Sequence, residues 1–140
     1  MERYKFLSHT ADAKFQAFGK TLEEAFANAA LALSSLMWNW EKIEKRKEYP
    51  VAVRGNDLPQ LLNNFLEEII YLLDTKMFLL SSAGEVKIEK KGSQYLLEAL
   101  FRGDEYSSKY KIFGEVKAIT YNEMKIEKND HFTLQVVVDI

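Results

Sequence analysis

The chain has 140 residues, 47% of them hydrophobic and 13% aromatic, the size and make-up of one globular domain with a real core, which excludes a disordered chain. It has no cysteine, so disulfides, zinc–thiolate sites and cysteine nucleophiles are excluded, and its 19 basic and 21 acidic residues, mixed along the chain for a net charge of −2, offer no polycationic surface for stand-alone nucleic-acid binding. The start, Met1-Glu2-Arg3-Tyr4-Lys5-Phe6, lacks the apolar run of a secretory signal and no stretch of about eighteen apolar residues occurs, which predicts a soluble, cytoplasmic protein.

In chain order, period-two alternation predicts short strands over residues 4–7 and 13–18, with the polar loop Ser8-His9-Thr10-Ala11-Asp12 between them. A capping box then opens a helix: Thr21 supplies an N-cap hydroxyl and Glu24 a carboxylate three residues on. Leu22, Ala25, Phe26, Ala29, Ala30, Leu33, Leu36 and Met37 form its apolar stripe, which runs to about Trp38. Trp38 and Trp40 close this segment and read as core packing rather than an exposed partner patch. The alternating charges of residues 41–48 read as a solvated connection, not as a phosphate contact, because no wider basic field surrounds them. After a strand over 49–54, Asp57 caps a second helix, with Pro59 in its first turn and an apolar face from Leu58 to Leu73.

Strands follow over 84–90, 94–102, 116–126 and 131–139, with Lys91-Gly92-Ser93 and Lys128-Asn129-Asp130 as hairpin turns. The pattern predicts a single α+β domain over residues 1–140, two helices packed on one face of a mostly antiparallel sheet.

The end of the chain carries the most chemistry. Val137-Val138-Asp139-Ile140 places a carboxylate on an apolar strand beside the terminal carboxylate of Ile140, and such crowded negative charge calls for a cation or a basic partner. If the last turn pairs Ile126 with Phe132, Ile119 faces Asp139 and Lys117 lies diagonal to it; a one-residue slip would put the two on opposite faces. Asp12 and His9 of the first loop could ligate a cation or simply hydrogen-bond the turn. Oxygen donors from Asp12, Asp139 and Ile140 together would suit a hard ion such as calcium, magnesium or manganese. The other histidine, His131, reads as a surface residue at a strand start. No nucleophile elbow, P-loop, dinucleotide fingerprint, HExxH or paired-cysteine motif occurs, so the residues by themselves reveal no reaction.

Four motifs in order give a resemblance: Phe6-Leu7-Ser8-His9-Thr10-Ala11-Asp12; Phe18-Gly19-Lys20-Thr21-Leu22-Glu23-Glu24-Ala25-Phe26; Val116-Lys117-Ala118-Ile119-Thr120-Tyr121; and Val138-Asp139-Ile140. Over nearly its full length the chain resembles archease. The resemblance implies an accessory protein without turnover of its own, which activates the GTP-dependent RNA ligase of tRNA splicing by promoting ligase guanylylation and multiple turnover, and which could broaden the nucleotides the ligase uses. It implies a divalent cation, usually calcium, at Asp12, Asp139 and Ile140, and an activating role for Lys117 alongside Asp12 and Asp139. tRNA would be reached only through the ligase. Many family members continue the lysine motif as Thr-Tyr-His, whereas Asn122 follows Thr120-Tyr121 here; by the register above Asn122 would face the core. Two rival readings are a chaperone or specificity adaptor for a tRNA methyltransferase, and a metal-dependent phosphohydrolase, for which the ligands are few.

Overall fold

Both helices begin by the same device. The computed structural model describes residues 1–8 and 12–140, and in chain order it contains β1 (Tyr4–Leu7), β2 (Ala13–Gly19), α1 (Leu22–Ser35), a 3-10 turn (Trp40–Lys42), β3 (Lys47–Gly55), α2 (Leu58–Lys76), β4 (Phe78–Lys91), β5 (Gln94–Glu105), β6 (Ala118–Lys128) and β7 (Phe132–Asp139). At α1, Glu24 donates its backbone N–H to Thr21 Oγ1 (3.1 Å) and its carboxylate accepts from the Lys20 N–H (3.2 Å). At α2, Gln60 N–H donates to Asp57 Oδ1 (2.8 Å) and the Gln60 side chain accepts from the Asn56 N–H (2.7 Å). One turn later, Asn28 Nδ2 donates to the carbonyl of Phe18 and Asn64 Nδ2 to that of Arg54, each at 2.7 Å. Strand, glycine, cap, carboxylate or amide, and asparagine thus correspond position for position in β2–α1 and β3–α2. Both glycines are required by close approach: a Cβ on Gly19 would lie 2.3 Å from Ala25 N, and one on Gly55 2.5 Å from Leu61 N.

The expected α+β domain with antiparallel pairing and two helices is what the chain forms. Its strands, however, divide into two sheets, with strand orders β1-β2-β7-β6 and β3-β5-β4, rather than a single sheet with both helices on one face. The reason lies in α1, where residues 29–34 are all buried. A helix covered on only one side buries a stripe; this one packs on β2 and β7 of the first sheet and on β4 of the second, while α2 packs on β6 and on β3, β4 and β5. Alanines 25, 29, 30 and 32, all without exposed surface, keep α1 thin enough for that position. The rings of Phe26, Phe65 and Phe101 link α1, α2 and β5 at centroid separations of 5.6 and 5.5 Å, and each such buried ring contributes about 1.5–3 kcal/mol relative to exposure.

Trp38 is fully buried and donates its indole N–H to the Leu80 carbonyl (2.9 Å); Trp40 is half-buried and donates to the Tyr4 hydroxyl (3.0 Å). The core-packing reading of both therefore holds, although α1 ends earlier than the apolar stripe, with Leu36 as its C-cap.

Candidate functional site at the end of the first sheet

Strand register decides which of the candidate residues meet. β2 pairs with β7 from Gly19–Phe132 to Ala13–Val138, so the next residues along the two strands are Asp12 and Asp139. On the other side of β7, β6 pairs Ile119 with Val138 and Ala118 with Asp139, and the Lys117 N–H donates to the Asp139 carbonyl at 2.8 Å. β7 thus lies between its two neighbours and carries Asp139 to the same sheet end as Asp12 and Lys117. The sequence alone left that meeting open, because Asp12 and Asp139 lie at opposite ends of the chain.

The expected pairing within the final hairpin is corrected. Lys128, not Ile126, faces Phe132, and Ile126 faces Leu134. Between Thr120–Val137 and Lys125–Gln135, β6 advances five residues while β7 advances two. The three extra residues of β6 pass over the outward face of β7, with Glu123 in the left-handed region at φ 54°. Glu123 accepts from Gln135 Nε2 through its carbonyl (2.8 Å) and from Lys14 Nζ through its carboxylate (3.0 Å), while Gln16 Nε2 donates to Gln135 Oε1 (3.0 Å). These bonds leave Gln135 and Val137 buried, although period-two alternation puts them on the face opposite Leu134, Val136 and Val138.

The excursion has two consequences for the candidate residues. Lys117 is on the face of Ile119, while Asp139 is paired with Ala118 on the opposite face, so the diagonal side-chain pair is replaced by a main-chain hydrogen bond. Asn122, expected to face the core, is exposed because it lies in the excursion.

Lys117 is exposed and borders two depressions against α2. One, of about 300 Å³, is lined by Glu67, Tyr71, Asp74 and Ile119 among others; the second, of about 410 Å³, by Ile70, Leu73, Asp74, Ile112 and Glu115. The acidic side of α2 near Lys117 was not singled out from sequence, although Glu67, Tyr71 and Asp74 recur there at helical spacing opposite the apolar stripe.

Asp139 and Ile140 are exposed, and Asp12 is half-buried. Carboxylate oxygens with no sulfur or imidazole are the donor chemistry that suits a hard cation, so the residues fit such an ion in kind. Among the described residues, however, no group of three or more His, Asp or Glu side chains converges. The expectation for His9 falls outside the described residues. His131 stands at the start of β7, its Nδ1 2.9 Å from Asp130 Oδ1 and its ring edge-on to Phe18.

A second polar cluster binds the irregular segment after β5. Tyr110, buried, donates its hydroxyl to Asp104 Oδ2 at 2.6 Å and accepts from the Glu44 N–H at 3.2 Å. The Tyr110 hydroxyl holds the Asp104 carboxyl below the usual carboxylate range against the opposing effect of burial, aided by the Glu105 N–H, Lys109 and Arg46. Glu44, exposed, pairs with Lys109 and Arg46. The charged residues of 41–48 are exposed, as expected of a solvated connection, while Ile43 among them turns into the core.

Among the described residues no helix is long and apolar enough to cross a membrane. The Archease protein family (MTH1598/TM1083) matches over residues 4–140. The protein named "Protein archease" in Pyrococcus furiosus is 41% identical over 143 aligned positions, covering all of both chains. The protein of the same name in Pyrobaculum neutrophilum is 40% identical over 98% of this chain and 95% of the relative. A solution structure of Methanobacterium thermoautotrophicum protein 1598 superposes with a TM-score of 0.85 at 31% identity, covering 100% of each chain.

Proposed function

Because the chain belongs to the archease family, we propose that it acts as an accessory protein for the GTP-dependent RNA ligase of tRNA splicing, promoting ligase guanylylation and repeated turnover. The protein itself catalyses no step. The observation that carries this reading is the main-chain hydrogen bond of 2.8 Å between Lys117 and Asp139, which holds the lysine motif beside the carboxylate end of β7. An exposed ammonium and exposed carboxylates at one sheet end can meet the charged groups of a nucleotide-binding pocket in a partner.

In this reading Asp12, Asp139 and Ile140 would hold a hard divalent cation, calcium being the expected ion. When bound, the ion would offset the crowded negative charge and supply a positive centre toward phosphate oxygens. Lys117 orients the triphosphate through a side chain free to turn between α2 and the strand end. Broader nucleotide use by the ligase and a cytoplasmic location belong to the same proposal, and tRNA is reached through the ligase.

The test is ligation of broken tRNA by purified cognate ligase with GTP and manganese, comparing no addition, the wild-type chain and Asp139→Ala. The proposal expects only the wild-type chain to carry the ligase past a single turnover. Equal rates in all three reactions would overturn it and bring forward the methyltransferase-adaptor reading, whose measurement is suppression of methyltransferase aggregation irrespective of Asp139.

A further inference from the structure

The outer side of α2 is more than solvated helix surface. Tyr71 and Tyr121 are 59% and 54% exposed, an arrangement that leaves more than half of two large side chains outside the core. Three depressions run along this side and share walls: Val53, Arg54, Asn64 and Glu68 line the first with Glu67 and Tyr71, which also line the second, and the second shares Asp74 and Lys117 with the third. Glu67, Glu68, Asp74 and Glu115 stand along them, and among the described residues none of the four pairs with a lysine or arginine, in contrast to Glu44, Glu48 and Glu105 elsewhere on the surface. Burial without a cation pushes the Glu68 carboxyl up. The Tyr121 hydroxyl is raised first by burial and then by Asp57 and Glu67, so that Glu67, alone of these four acids, also acts on the second ring.

We infer that this face of α2, centred on Tyr71 and flanked by Glu67, Glu68 and Asp74, with Tyr121 and Lys117 at its border, docks a basic surface of the protein partner. The inference rests on the ligase-accessory reading and deepens it. Exposed tyrosines supply large contact area at small entropic cost and are enriched among residues that dominate binding. Uncompensated carboxylates around them repel phosphate backbones and favour a cationic protein surface, which steers encounter and fixes orientation. Because Lys117 belongs both to these depressions and, through its N–H, to the Asp139 strand end, a partner seated on α2 is brought directly to the candidate site.

The test is the affinity of purified cognate RNA ligase for the wild-type chain, Tyr71→Ala, Asp74→Lys, and Glu127→Lys as a charge-matched change near the far end of β6, each variant first checked for native circular dichroism and melting temperature. Expected are losses of roughly tenfold or more for Tyr71→Ala and Asp74→Lys, no more than about twofold for Glu127→Lys, and weaker wild-type binding as salt is raised. Equal affinity of folded Tyr71→Ala and Asp74→Lys with an active wild-type chain would overturn the docking surface and leave the accessory function standing. Equal losses in all three variants would also overturn it, since net charge alone would then be responsible. A wild-type chain that neither binds nor activates the ligase would overturn both.

Discussion

The backbone N–H of Lys117 donates to the carbonyl of Asp139 at 2.8 Å, while the side chains of the two residues lie on opposite faces of the sheet end. The link therefore belongs to the main chain and survives any side-chain change except one. Lys117→Ala and Asp139→Ala, both at exposed positions, should keep stability within about 0.5 kcal/mol of wild type while abolishing stimulation of the ligase. Lys117→Pro removes the donor and should lower stability by about 0.5–1.5 kcal/mol, the net worth of one such hydrogen bond. Chemical denaturation alongside multiple-turnover ligation separates the two effects.

Tyr110→Phe deletes one hydroxyl between the buried Asp104 carboxylate and the Glu44 N–H. Such a bond to a charged group, once removed, should cost about 1.5–3 kcal/mol. The Asp104 carboxyl is depressed in the folded chain, so its stabilising contribution is complete above the unfolded carboxylate range and is lost as pH falls through the folded value. Denaturation midpoints measured from neutral pH down to strongly acidic pH should therefore fall for wild type on the acid side, and fall less steeply for Tyr110→Phe.

Gly19→Ala and Gly55→Ala would drive a methyl group against helix backbone at 2.3 and 2.5 Å. Neither backbone nitrogen can rotate away as a side chain would, so each substitution should destabilise by about 2 kcal/mol or more. Gly92 is the contrast: nothing lies within 4 Å of its Cβ position, but φ is +63°. Gly92→Ala should cost only about 1–2 kcal/mol through that torsion, and Gly92→Asn less. Thermal unfolding of the four variants gives the ranking.

Asn122→His puts an imidazole after the Thr120-Tyr121 pair. Because Asn122 is exposed in the β6 excursion, the change should leave stability within about 0.5 kcal/mol. A fall in melting temperature of several degrees would contradict the exposed placement.

The helices were legible because their information is local. Thr21 with Glu24 and Asp57 with Gln60 write the cap chemistry within four residues, and the structure forms each of those bonds. The strands were legible in number but less in extent: β4 begins at Phe78, six residues before the alternation is clear, since Phe78, Leu79, Leu80 and Ser81 are all buried and period two vanishes where both faces are covered. The sites divide in the same way. Asp139 and Asp12 attract notice as residues, yet their adjacency depends on β2 pairing with β7 across nearly the whole chain.

Composition, cap motifs and apolar periodicity by themselves determined a single α+β domain, two helices with their first turns, and the set of charged residues worth following, because each of these depends on neighbours a few positions away. The tertiary structure alone decided that the strands form two sheets with α1 packed on both, that three extra residues of β6 pass over Gln135 and Val137, and that Lys117 faces α2 while bonding Asp139 through its backbone. The physical reason is register: side chains alternate with period two, so the odd number of residues in that excursion reverses the face of everything beyond it, and the excursion is held by bonds that Gln135 and Lys14 donate to Glu123, which no local pattern encodes.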